Sequence, residues 1–405
     1  MEINLKRLKE NLIELGWIGF DGDESKEIPI GDKGITRLPY SDDYLEAEDY
    51  VKKLMKEAEL EIWKDPVGNL FGKIPGKNQS NEMIVIGSHI DTVINGGLFD
   101  GSLGVLSAIE SLRVLIETDY QNNYDLVAAV FIGEEGVKYP GYLGSRAFIG
   151  DEFSDKELEQ LRSTNVGENE IKKSAVDTEM IKNYLEIHIE QGQVLNDKNK
   201  DIGVVEGIVG ISRYKAIVTG KANHAGTTPM ELRDDALVKA SRTVLEIERI
   251  VKEINVDNGR MVGTVGQFEV KPGAVNVIPG EVEFSIELRD MEKKNIDKAI
   301  EFIEDLKIKG LKIEEEFYEG GVYLDKKIQK ELIGAAESLD YNYLQMLSGA
   351  GHDASPMARV TSAGMIFVPS KDGISHSPDE WTDWQDVEKG ANLVLETIKR
   401  LDNKS

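Results

Sequence analysis

Residues 87–101, with the sequence GSHIDTVINGGLFDG, constrain the fold of this chain more than any other stretch. The apolar residues 83–86 that precede them are rich in β-branched side chains and predict a strand buried on both faces. From Gly104 onward, apolar residues recur at intervals of three and four, which predicts a helix. Because open α/β sheets bind ligands at the carboxyl ends of their strands, the loop between these elements predicts a site. Its polar side chains include His89, Asp91 and Asp100.

The same pattern recurs along the chain. A buried-type strand at 126–132 leads into Gly-Glu-Glu-Gly, a second at 184–189 contains a histidine, and a third at 365–369 leads towards another histidine. Acidic pairs are usually solvated loop tips, and a histidine in an apolar strand is usually a core residue. Repetition at strand ends favours a shared site instead. The side chains it would collect are His89, Asp100, Glu135, His188 and His376.

Composition limits the partners and the chemistry. Among 405 residues, 48 Lys and Arg stand against 74 Asp and Glu, a formal net charge of −26. This argues against a nucleic-acid or anionic-membrane partner. There is no cysteine, so a metal would have to be held by histidine and carboxylate. The amino-terminal helix alternates charged and apolar residues, unlike a signal peptide or membrane span, and we expect a cytoplasmic enzyme.

The pattern of elements changes between about 211 and 322. There a strand, a long helix, strands at 261–270 and 281–289, a helix and a strand follow one another, the βαββαβ order of a ferredoxin-like domain. We therefore expect an α/β, mixed-sheet catalytic domain built from residues 1–210 and 323–405. Residues 211–322 would form an inserted α+β domain.

The candidate side chains suit a pair of divalent ions. Asp100 could bridge one ion on His89 and His188 and another on Glu135 and His376. Imidazole and carboxylate ligands suit Zn, Mn, Co or Ni. Two such ions acidify a bound water and polarise a carbonyl, which predicts hydrolysis of an amide-like bond. Glu134 is the expected general base, and alternation along His89-Ile90-Asp91 would let Asp91 hold a ligand in place.

Motifs along nearly the whole chain resemble those of a known family. They are HIDTVINGGLFDG, GEEG, LEIHIEQG, NHAGTTPM, SGAGHDA and GISHSP. Together they resemble the M20-type metallohydrolases, specifically the hydantoinase/carbamoylase amidase branch. That branch includes N-carbamoyl-L-amino acid hydrolase, β-ureidopropionase and allantoate amidohydrolase. His188 marks the branch, because peptidase and deacetylase relatives usually place a carboxylate there.

The resemblance implies a role for each matching residue. It implies two metal ions on the ligands named above, Glu134 as base and Asp91 behind His89. It implies a homodimer formed through the inserted lid domain, with His224 reaching into the partner's site to stabilise an oxyanion. It further implies that Gln191 contacts the substrate and that Asn276 and Arg289 grip its carboxylate. From the residues alone, Asn276 would be a turn residue and Arg289 a surface charge.

The sequence departs from the branch at Val137-Lys138-Tyr139 and at Gln193, where a small residue followed by Arg-Phe, and a Pro, are usual. Neither departure falls on a residue named above as a metal ligand. The expected activity is hydrolysis of a small N-carbamoyl-L-amino acid to the amino acid, carbon dioxide and ammonia. Allantoate is the first alternative, a dipeptidase or deacylase the second, and a binding module that has lost catalysis the third.

Overall fold

The computed structural model describes residues 1–23, 25–78, 81–255 and 260–403. The chain divides into two units, Met1–Glu206 with Tyr323–Ser405, and Gly207–Val322. Residues 207–210, which the sequence analysis placed in the first unit, belong to the second. Among the described residues, none lies in a helix long and apolar enough to cross a membrane.

Among the described residues, nine strands form a mixed sheet at the centre of the first unit, and the chain passes to and from the second unit within two of them, at residues 207–208 and at Val322. Its strands are β1 (Glu61–Lys64), β2 (Leu70–Ile74), β3 (Met83–His89), β4 (Asp125–Phe131), β5 (Ile181–Ile189), β6 (Ile202–Ile208), β14 (Val322–Tyr323), β15 (Tyr343–Ser348) and β16 (Ser362–Val368). Their order is β1-β2-β4-β3-β5-β16-β6-β14, and β15 pairs with β6. The predicted α/β class with a mixed sheet is confirmed.

Four central strands of this sheet run in the same direction. β3 pairs in parallel with β4 and β5, and β16 pairs in parallel with β5. β2 and β6 are antiparallel to their neighbours β4 and β16. The carboxyl ends of β3, β4, β5 and β16 therefore meet at one edge, the edge to which the sequence assigns the candidate side chains.

Helices cover both faces of this sheet. They are α1 (Leu5–Trp17), α2 (Asp42–Glu57), α3 (Ser102–Glu117), α4 (Leu143–Phe148), α5 (Asp155–Gln160), α6 (Glu168–Ser174), α7 (Val194–Asp197), α10 (Lys326–Ser338), α11 (Ala354–Met357) and α12 (Trp384–Asp402). α3 packs against β3, β4 and β5, and α12 packs against α3. The opposite face of β4 carries Phe131, whose ring lies 5.6 Å from that of Phe148 in α4.

The inserted unit has its own sheet and core. Its elements are β7 (Gly210–Thr219), β8 (Asn223–His224), α8 (Ala236–Ile254), β9 (Val262–Thr264), β10 (Phe268–Lys271), β11 (Val277–Ile278), β12 (Glu281–Asp290), α9 (Lys293–Asp305) and β13 (Leu311–Glu319). The main sheet has the order β10-β12-β7-β13, and β9 also pairs with β12. Alternate residues of β12 are buried, as its sequence pattern predicts.

One predicted strand of this unit is interrupted. The sequence analysis expected a single strand over 261–270, whereas β9 and β10 are separated at 265–267. The backbone N–H of Gln267 donates to Ser285 Oγ, which replaces a strand-to-strand bond. The assignment of the inserted unit as a ferredoxin-like lid stays a prediction.

Close packing of α3 on the sheet gives a stability prediction. A Cβ atom at Gly104 would lie 2.6 Å from Ser88 Cβ and 2.7 Å from the Ile187 carbonyl oxygen. We expect Gly104→Ala to lower the free energy of unfolding by about 1–3 kcal/mol, because the helix must shift away from the sheet. Gly334→Ala is the matched control, since its new methyl group meets only the flexible end of Arg400. Urea unfolding measures both, and equal stability of the two variants would contradict the packing argument.

Candidate metal centre

Two histidines and one carboxylate meet at the edge formed by β3 and β5. The Nε2 atoms of His89 and His188 lie 3.5 Å and 3.2 Å from Oδ1 of Asp100. All three side chains are buried. Their potential ligand atoms lie within 4.8 Å of one another.

The other oxygen of Asp100 faces a second group. His376 Nε2 lies 3.4 Å from Asp100 Oδ2 and 3.5 Å from Glu135 Oε2. This triple also lies within 4.8 Å. Asp100 therefore belongs to both triples, and one of its carboxylate oxygens faces each of them.

The histidine hydrogen bonds fit a divalent cation. The Nδ1 atoms of His89 and His188 each lie 2.9 Å from a backbone carbonyl oxygen, those of Asp91 and Ile189. A carbonyl oxygen only accepts, so each Nδ1 carries a proton, and Nε2 is the ring atom on the Asp100 side that a cation would bind. Among the described residues, the buried Glu135 Oε1 has no hydrogen-bond partner. The donor set of imidazole and carboxylate suits the divalent metals named above.

The Asp91 carboxylate accepts hydrogen bonds from the turn that follows β4. Its Oδ1 accepts the backbone N–H of Gly133 at 2.9 Å, and its Oδ2 accepts that of Glu135 at 3.3 Å. The sequence analysis placed the Asp91 carboxylate behind His89. In the structure, His89 Nδ1 donates its hydrogen bond to the backbone carbonyl oxygen of Asp91. The carboxylate lies 3.9 Å from Nδ1, because the turn after β4 takes up its lone pairs.

The two adjacent glutamates lie in this turn. Glu134 Oε2 is 3.7 Å from His89 Nε2, and Glu135 faces His376. Burial, followed by the charge of Glu135, raises the pKa of Glu134 well above its usual range. Burial, followed by the charge of Asp100, does the same to the pKa of Glu135. A cation between these carboxylates would stabilise their charged forms.

Gln191 also reaches the cluster. Its Nε2 donates to Asp100 Oδ2 at 2.7 Å and lies 3.2 Å from His376 Nε2. Gln191 and His376 have φ angles of 56° and 53°, a left-handed conformation that costs non-glycine residues energy and is concentrated at functional sites. His352, from the SGAGHDA motif, is buried against His188 with ring centroids 4.6 Å apart but belongs to neither triple.

The remaining predicted site residues lie in the inserted unit. His224 in β8 pairs with Val277 in β11, and the N–H of Ala225 donates to the Asn276 carbonyl oxygen at 2.9 Å. His224 and Asn276 are thus on adjacent strand ends, and both are exposed. Arg289 in β12 donates through Nε and Nη2 to Oε1 of Glu287, at 2.9 Å and 2.7 Å.

Sequence reasoning missed two buried carboxylates that support the cluster. Glu380 Oε1 accepts the backbone N–H groups of Phe99 and Asp100 at 2.8 Å and 3.1 Å. Glu186 accepts from Ser88 Oγ and from the N–H of Ala354, both at 2.8 Å. Glu186 could have been found, because it stands two residues before His188 and so shares its strand face. No local pattern identifies Glu380, whose partners are far away in the sequence.

Glu380 provides a test of this support. Glu380→Ala removes the acceptor for two backbone N–H groups at the Asp100 turn, and we expect metal affinity to fall by about 10- to 100-fold. Glu380→Gln keeps an acceptor oxygen and should lose less. Competition with a chromogenic chelator measures the affinity, and Asp379→Ala, at an exposed neighbour, is the control. Equal affinities of Glu380→Ala and Asp379→Ala would exclude a supporting role.

Known proteins resemble this chain over its whole length. The profile of peptidase family M20/M25/M40 matches residues 85–400. An N-carbamoyl-L-amino-acid amidohydrolase of Paenarthrobacter aurescens is 38% identical over 389 residues, 91% of this chain and 93% of that protein. An allantoate amidohydrolase of Bacillus subtilis is 36% identical over 389 residues, with the same shares covered.

A solved structure shows the same fold. The amidase of the hydantoinase/carbamoylase family from Burkholderia multivorans has a TM-score of 0.88 and 30% identity, with 100% of this chain and 99% of that chain covered. Sequence and fold thus agree on one branch of enzymes that hydrolyse carbon–nitrogen bonds other than peptide bonds. The chain therefore belongs to peptidase family M20/M25/M40 and is a hydrolase of its hydantoinase/carbamoylase amidase branch.

Proposed function

We propose that this protein is a binuclear metal-dependent amidase that hydrolyses the carbamoyl group of a small N-carbamoyl-L-amino acid. The products would be the amino acid, carbon dioxide and ammonia. The observation that supports the proposal is the position of Asp100, whose two carboxylate oxygens face separate groups of potential ligands. We also propose that the enzyme acts in the cytoplasm, as the sequence analysis expects.

The proposed ligands are the members of the two triples. His89, Asp100 and His188 would hold one divalent ion, and Asp100, Glu135 and His376 the other, with Zn, Mn, Co and Ni as candidates. Bound there, the ions would acidify water and polarise the substrate carbonyl.

Glu134 is the proposed general base. Its Oε2 lies 3.7 Å from Nε2 of His89, a member of the first triple. It would take a proton from the attacking water as the new carbon–oxygen bond forms at the ureido carbon. When the carbon–nitrogen bond breaks, the same carboxyl would return the proton to the leaving nitrogen.

Four further residues are assigned to substrate binding. Gln191 would contact the substrate beside Asp100, to which it already donates. Asn276 and Arg289 would bind the substrate carboxylate. The guanidinium of Arg289 would then bind both this carboxylate and that of Glu287. His224 would stabilise the oxyanion in the site of the partner subunit, in a homodimer formed through the inserted unit. The family resemblance supports these four assignments.

Allantoate is the second candidate substrate. The relative named as an allantoate amidohydrolase is 36% identical, close to the 38% of the relative named as an N-carbamoyl-L-amino-acid amidohydrolase. Allantoate carries ureido groups and a carboxylate, so the same side chains could bind it. A dipeptidase or deacylase is less well supported, because His188 stands where such relatives usually have a carboxylate.

Ammonia release tests the proposed reaction. Metal-reconstituted protein should release ammonia from N-carbamoyl-L-amino acids, and a chelator should abolish the release because the water would no longer be activated. Matched N-acetyl amino acids and dipeptides, assayed for free amino acid, are the controls. Faster turnover of allantoate would move the assignment to the second candidate. Turnover of only the acetyl or dipeptide substrates would overturn the amidase proposal.

Mixed dimers test Glu134 and His224 together. Glu134→Gln and His224→Ala should each be inactive, because one lacks the base and the other the oxyanion donor. If His224 acts across the dimer, a refolded mixture should regain activity, since each hybrid contains one site with both residues intact. Glu134→Gln should still bind metal in a chelator competition. Full activity of Glu134→Gln would refute the base assignment, and an inactive mixture would refute the role of His224 across the dimer.

A further inference from the structure

The loop that carries Asp91 and Asp100 has neither helix nor strand between the end of β3 and the start of α3. An amino-terminal segment, residues 34–37, lies along it in the antiparallel direction. Ile35 exchanges two backbone hydrogen bonds with Gly96, of 3.0 Å and 2.8 Å. The N–H of Thr92 donates to the carbonyl oxygen of Arg37 at 3.1 Å. The loop is thus held by a segment to which the sequence analysis assigned no role.

The side chain of Arg37 passes beneath this loop and is completely buried. Its Nε donates to the Ile90 carbonyl oxygen and its Nη2 donates to Ser102 Oγ, both at 2.9 Å. Its Nη1 donates to the carbonyl oxygens of Leu15 and Ile18 at the end of α1, at 3.0 Å and 3.2 Å. Among the described residues, no carboxylate hydrogen-bonds to the guanidinium.

A buried cation without a carboxylate partner is unusual, because its desolvation is costly. Burial lowers the pKa of Arg37 to about 10, against the opposing charge of Asp91, so the group stays positive at neutral pH. The carboxylates whose charge acts on Arg37 are those of Asp91, on the loop itself, and to a smaller extent Asp43 in α2. The buried charge of Arg37 is therefore better explained by its contacts with the loop than by the packing of the hydrophobic core.

The guanidinium of Arg37 also fixes the distance between two parts of the loop, because it binds both of them. Ile90 follows His89 directly, and Ser102 lies two residues after Asp100. One planar group therefore connects the Ile90 carbonyl oxygen to the Ser102 hydroxyl, near both ends of the loop and close to two residues of the same triple. A guanidinium has rigid donor geometry, whereas a lysine would supply the charge without the fork.

From this geometry we propose that Arg37 is a positioning residue that holds His89 and Asp100 at the spacing required by the metal centre. This role rests on the proposed function, because it presupposes that the triples bind metal. Arg37 acts through the loop and is not assigned any contact with substrate.

Co²⁺ binding tests the role without an activity assay. We expect Arg37→Met to weaken Co²⁺ binding by about 10- to 100-fold and to change the visible absorption spectrum of the bound ion, because the ligands are no longer held at their spacing. Arg37→Lys should fall between Arg37→Met and the wild type. Arg7→Met is the matched control. Arg7 in α1 also makes two hydrogen bonds through Nε and Nη2, but both go to the carboxylate of Glu110 in α3. This variant should lower the unfolding midpoint and leave the Co²⁺ spectrum and affinity unchanged.

Ser102→Ala keeps the test decisive if Arg37→Met does not fold. It removes one hydroxyl that accepts from Nη2, and it should shift Co²⁺ affinity in the same direction by less. Folded Arg37 and Ser102 variants with the wild-type spectrum and affinity would overturn the positioning role alone. Wild-type protein that binds no Co²⁺, Zn²⁺ or Mn²⁺ would overturn the proposed metal centre and this role with it.

Discussion

Buried negative charge at one edge of a parallel sheet is the constraint on which the rest of this structure depends. Asp91, Asp100, Glu134 and Glu135 gather there with very little exposed surface. The chain stabilises them in three ways, with histidines facing Asp100, backbone N–H groups on Asp91, and the Arg37 cation under the loop. Charge of this density, in a donor set of this kind, fits a site built for cations.

The location of the site could be predicted because its signal is local. Each of these side chains follows or ends a strand with an apolar, β-branched sequence, and parallel strands bring their carboxyl ends to one edge. That rule was sufficient to group His89, Glu135, His188 and His376 from a single sequence. The mixed-sheet α/β class followed from the same periodicities.

The supporting residues could not be predicted because their contacts are made over long sequence separations. Glu380 holds the turn at Asp100 from 280 residues away, and Arg37 reaches Ser102 from 65 residues away. Locally, both stand in segments typical of ordinary loops. The hydrogen bonds of the Asp91 carboxylate were not predicted for a similar reason, since strand alternation does not show that a turn after another strand will donate to its oxygens.

The position of β16 in the sheet has a consequence for biosynthesis. β16 lies between β5 and β6, although it follows the inserted unit in the chain. The emerging polypeptide can complete the inserted unit first, but the central sheet keeps an open gap beside β5 until the last segment has left the ribosome. His376 follows β16, so the second triple is absent from every shorter nascent chain. A chain released early would expose a long unpaired strand edge, which makes truncated products targets for aggregation and for quality-control proteases.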